Sequence, residues 1–140
     1  MTRRGARGER GSLAIEMAMI VPSILLIFGL IFVYGMAASV NGNLESATRD
    51  AARSATLARS YDEARERARV VVREGIRGLP KTCRDSVAVD VSPTFEPGEP
   101  VTVTVTCTYS ISEIGLPGAP GSLSPESSFT SMLDPYRGVD

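Results

Sequence analysis

Residues 11–40 read GSLAIEMAMIVPSILLIFGLIFVYGMAASV, a stretch in which Glu16 is the one charged side chain. From Met17 to Val40 there are 24 residues without a charge. As a helix rising about 1.5 Å per residue they extend roughly 36 Å, enough to cross a bilayer core. The reading is a single transmembrane helix over residues 12–40. A secretory signal peptide is the rival, because small residues cluster at GMAAS (35–39), where a peptidase could cut; its apolar region is usually only about 7 to 15 residues long. Pro22 removes one helix hydrogen bond and predicts a kink. Ala14 with Ala18, and Gly35 with Ser39, are small-xxx-small pairs that permit close helix packing.

The flanking charges set an orientation. Arg3, Arg4, Arg7 and Arg10 precede the apolar run against Glu9, and no further basic residue occurs before Arg49. By the positive-inside rule the N-terminus is cytoplasmic and residues after about 41 are extracytoplasmic. The expected location is the inner, cytoplasmic membrane, crossed once. Glu16 remains to be explained, since a carboxylate near the bilayer centre costs roughly 2.5 to 3.5 kcal/mol on insertion scales and usually has a function or a partner.

Composition narrows the function classes. The 140 residues include no histidine and carry a formal net charge of -1. Without histidine there is no Ser-His-Asp or Cys-His nucleophile and no imidazole metal site. Cys83 and Cys107 lie too far apart for a C-x-x-C element. The expectations are no enzymatic activity, no metal, no cofactor, no small-molecule substrate and no nucleic acid.

Beyond the membrane segment, Val40, Leu44, Ala47, Ala51, Ala55 and Ala58 recur at helical spacing and form a narrow, mostly small-residue stripe. Glu45, Arg49, Asp50 and Arg53 lie opposite. Ser60 and Glu63 have the S-x-x-E spacing of a capping box, so the helix restarts or bends there. The inward face of this second helical run is Ala64, Ala68, Val71, Val72 and Ile76, with the intervening arginines and glutamates read as a solvated face. The run is expected to end near Gly78 and Pro80.

After Pro80 the period changes to two. DSVAVDV (85–91) and VTVTVTCTY (101–109) alternate as two strands around the proline-rich turn SPTFEPGEP (92–100), an antiparallel hairpin with threonines 102, 104, 106 and 108 on its polar face. Residues 111–125 read as a Pro/Gly/Ser-rich loop, SSFTSML (127–133) as a candidate third strand, and the last seven residues as a tail. The fold class is therefore α+β: a long N-terminal helix, transmembrane then amphipathic, followed by a small antiparallel sheet of two to three strands. The segments are a basic leader (1–11), the transmembrane helix (12–40), an extracytoplasmic helical region (41–79) and a small β domain (80–140).

The hairpin also predicts a disulfide. A register pairing Val91 with Glu99, Val89 with Val101 and Val87 with Val103 sets Cys83 opposite Cys107 on the apolar side, in an oxidising compartment. Two buried free thiols are the alternative.

Within RGSLAIEM, Gly11 stands five residues before Glu16, after a basic leader and before an apolar helix. This resembles the processing site of type IV prepilins. The longer stretch through ATRDAARSA (47–55), with Glu16, Pro22 and the glycine-bearing helix, resembles the TadE-like family of tight-adherence (Flp-type) pilus proteins. The resemblance implies that a membrane prepilin peptidase cuts after Gly11 and makes Ser12 the first residue of the mature chain. It implies a minor pilin or pseudopilin that works with other pilins, a cytoplasmic ATPase and a platform protein. An extracytoplasmic domain of about 100 residues favours the minor role, since the major pilin of such systems is far shorter. In that setting the Glu16 carboxylate can pair with the new N-terminal ammonium of a neighbouring subunit. The competing reading is a membrane-anchored binding module, or a secreted protein, unrelated to pili.

Overall fold

The computed structural model describes residues 8–136 apart from Leu116, with side chains from Leu13 onward. The chain divides into two compact units, one ending at Gly35 and one beginning at Met36. Helix α1 (Gly8–Ala55) runs through both as a continuous element. Its backbone is helical on either side of Pro22, and the Ser23 hydroxyl donates to the Met19 carbonyl at 3.1 Å.

The second unit holds the core. Along α1 the residues Val40, Leu44, Ala47, Ala51 and Ala55 are buried, as is Ala58 just beyond it, and Thr48 and Ala52 widen the stripe. Thr48 is tolerated there because its hydroxyl donates to the Leu44 carbonyl at 2.7 Å, leaving no orphan polar atom. A turn at 56–60 leads to α2 (Tyr61–Gly75), whose buried residues are Ala64, Ala68 and Val72. Val71, read as inward, is only half-buried.

Helix α2 begins as its capping spacing predicts, with one substitution of partner. The Ser60 hydroxyl accepts from the Glu63 amide at 3.3 Å, while the Glu63 carboxylate takes the amide of Arg59, at 2.9 Å, rather than that of Ser60. That backbone bond, followed by the bond from Arg67, holds the Glu63 carboxyl below its ordinary range. At the other end α2 stops at Gly75 rather than running to Gly78. Ile76 and Leu79 are buried in the turn beyond it, and a short helix α3 (Lys81–Ser86) starts after Pro80. The segment before the first strand is thus helical, not extended.

Strand β1 (Ala88–Val91) pairs antiparallel with β2 (Pro100–Thr106), and β2 pairs antiparallel with β5 (Glu126–Met132), so the third strand forms and β2 is central. Val101, Val103 and Val105 are wholly buried, worth roughly 1.5–3 kcal/mol each in removal from water. The opposite face is a hydroxyl array in which Thr102 meets Thr130 at 2.8 Å and Thr104 meets Ser128 at 3.2 Å. Residues 109–114 and 122–123 are regular structure rather than loop. Strand β3 (Tyr109–Ser110) pairs with β4 (Ser122–Leu123) around a 3₁₀ turn at Ile111–Ile114. Buried Tyr109 and Ile114 anchor this second sheet, and burial raises the Tyr109 hydroxyl's pKa.

The hairpin register differs from the expected one. Val91 faces Val103 and Ala88 faces Thr106, four residues further along β2 than the pairing of Val91 with Glu99. Residues 96–99 are occupied elsewhere. The Glu99 amide closes a turn onto Glu96, the Gly98 amide donates to Leu133, and Gly98 has the positive φ of 84° that such a turn requires. Pro100 has no amide to offer β1, and it stands past β1's end, where none is needed.

Candidate functional site

Glu16 and the apolar run lie on the first half of α1. Consecutive residues on a helix point about 100° apart, so four in a row sample every side. Leu25, Leu26, Ile27 and Phe28 are 64%, 75%, 58% and 65% exposed. The helix therefore presents apolar side chains all round and has no covering partner among the described residues of its own unit. Such a surface needs lipid or other helices, which is the setting of a membrane anchor. Glu16 is exposed on this helix and has no ion-pair partner among the described residues. Gly11 and Ser12 fall within the helical backbone of α1, with side chains outside the described set. The leader arginines Arg3, Arg4 and Arg7 lie outside the described residues.

Cys83 and Cys107 are joined, with Cα atoms 4.8 Å apart. The route is not the expected one. In the observed register the residue opposite Cys107 is Val87, not Cys83. Helix α3 supplies the difference, because four residues of helix advance only about 6 Å where extended chain would span about 13 Å, which keeps Cys83 within reach of Cys107. Ser86 fixes the junction: its hydroxyl donates to the Thr108 carbonyl at 3.0 Å and accepts from the Thr108 amide at 2.9 Å, standing in for a strand pair. Among the described residues no group of three or more His, Cys, Asp or Glu could hold a metal ion.

A feature missed at the level of sequence is the row Arg65, Arg69 and Arg73, which reads there as part of a solvated face. The three line a groove against Val87–Asp90. Their i, i+4, i+8 spacing was the available signal; the interleaved Asp62 and Glu66 obscured it.

The family model described as TadE-like protein matches residues 11–53. The stretch matched, about a third of the chain, is similar to TadE-like proteins. The match opens at Gly11, passes through Glu16 and the exposed apolar surface, and closes near the end of α1. No curated protein and no solved structure matches the chain. The sheet unit after residue 53 lies outside the TadE-like match.

Proposed function

We propose that this protein is a minor pilin or pseudopilin of a tight-adherence pilus, acting in pilus assembly at the membrane. The observation that carries the reading is a TadE-like match that begins at Gly11 and continues along an apolar helix exposed on every side. In this reading the leader is cytoplasmic and the residues after about 41 are extracytoplasmic. The anchor crosses the inner membrane once, and a prepilin peptidase cuts between Gly11 and Ser12. The partners are other pilins or pseudopilins and the assembly machinery. The role is structural rather than catalytic. Ser12 and Glu16 are four residues apart, one helical turn, so cleavage sets the new ammonium and the carboxylate on one face at the end of the helix. Neighbouring subunits can then exchange charge-assisted hydrogen bonds between these groups, replacing hydration lost on packing.

Intact mass and N-terminal sequencing of protein recovered from membranes test the reading. The expected mature chain starts at Ser12, and Gly11→Leu leaves an inserted but uncut chain. A mature chain starting near Val40 would instead establish signal-peptide cleavage and remove the pilin reading.

A further inference from the structure

An open groove of about 320 Å³ lies between α2 and β1, with Arg65, Arg69 and Arg73 on one wall and residues 87–90 on the other. It lies wholly within the unit that starts at Met36. Two features of different origin meet in it.

The first is charge without partners. Arg49, Arg67, Arg77 and Lys81 each make an ion pair with an acid three or four residues away on their own helix or its end. Among the described residues none of the three groove arginines does so, although Asp90 also lines the groove. Arg65 is steadied by stacking over the Tyr61 ring, 5.7 Å from its centroid.

The second is an open strand edge. β1 is at the margin of its sheet. The Ser92 amide donates to Thr102, so the even residues of β1 bond toward β2, and the main chain of Val89 and Val91 turns outward. The Val91 carbonyl is taken by the Tyr61 hydroxyl at 3.1 Å, which pins the end of α2 to the rim. Val89, whose N–H and C=O point away from β2 in this register, is among the residues lining the groove.

The two features share a repeat. Arginines four apart on a helix rise about 6 Å from one to the next. Side chains on one face of an extended strand recur about every 6.6–6.8 Å. The side-chain repeat of a strand laid beside β1 therefore nearly equals the rise between successive arginines. We infer that this groove binds an extended acidic segment of a partner protein, with carboxylates at alternate positions paired to Arg65, Arg69 and Arg73 and main-chain hydrogen bonds made to Val89. The inference does not depend on processing of the leader.

The test uses the full chain in non-ionic detergent micelles and a fluorescein-labelled peptide of alternating glutamate and valine, followed by anisotropy. The glutamate peptide is expected to bind and its lysine counterpart not to. Arg69→Glu should weaken binding at least tenfold, whereas Arg77→Glu, on a residue already paired with Glu74, should change it less than twofold. N-methylation of alternate peptide amides should weaken binding to unaltered protein by a similar factor, a readout that involves no variant. Equal loss from Arg77→Glu, or full binding by the N-methylated peptide, would overturn the inference. So would Arg69-dependent binding of phosphatidylglycerol vesicles without peptide binding, which would make the groove a lipid-phosphate site.

Discussion

At Gly75 a single hydrogen in place of a methyl group sets how closely α1 and α2 approach. A Cβ built there would lie 2.7 Å from the Ala47 Cβ and 3.3 Å from its Cα, and neither atom is the free end of a flexible side chain. Alanine would gain up to about 1 kcal/mol of helix propensity. Overpacking costs typically about 1–3 kcal/mol, and at this distance the steric term is the larger. Gly75→Ala is therefore expected to lower the chemical denaturation midpoint of the full chain in micelles, and Ala47→Gly in the same chain to recover part of the loss. A neutral Gly75→Ala would show that the helices separate freely. The same tightness explains why alanine dominates the buried stripe: small side chains let the helices approach closely.

The elements divide sharply in how far they could be read from sequence. The helix over the apolar run, the restart at Ser60 and the alternation of β2 were legible, because each rests on a local pattern several residues long. The third strand was suggested by SSFTSML, although its alternation is poor. The hairpin register was not legible, since a turn bond between Glu96 and Glu99 and the contact of Gly98 with Leu133 decide it, and the second of these joins residues distant in sequence. Helix α3 was hidden as well: KTCRDS is too short to display a helical period and has no side-chain cap. The cysteine pair was reached through a strand alignment the protein does not use, while the true connection needs the helical turn. At the candidate site, spacing proposes Gly11, Ser12 and Glu16 as a processing site, whereas the arginine groove was not legible, because only the fold puts β1 beside α2. The bridge closes a loop with a sequence separation of 24 residues. In the chain-entropy model such a loop is worth about 3 kcal/mol, a large share of the stability of a small domain. Replacing both cysteines by serine should lower the unfolding free energy by about that amount in denaturant titrations. A change below about 0.5 kcal/mol would mean that the Ser86–Thr108 junction holds α3 without it.

On the scale of the whole molecule, one half of α1 is exposed among the described residues of its own unit and the other half is built into a core. An apolar side chain at position 16 is no obstacle to entering a bilayer and should ease it. Glu16→Val is therefore expected to insert at normal levels yet fail to enter pili with its partner pilins, as measured by membrane fractionation beside surface shearing and immunoblotting. Normal piliation by that variant would remove the proposed ammonium–carboxylate pair. The bridge between Cys83 and Cys107 has a mechanical meaning for a chain anchored at one end and held by partners further along. Under tension an unbridged hairpin could peel apart and release its residues. With the two sulfurs joined, the force path passes from Cys83 straight to Cys107 and skips the intervening residues. The 24 residue steps between them correspond to about 80 Å of fully extended chain. That length stays stored while the bond is intact, so a pulled molecule keeps β1 and β2 out of the stretch, and chemical reduction would appear as added extensible length.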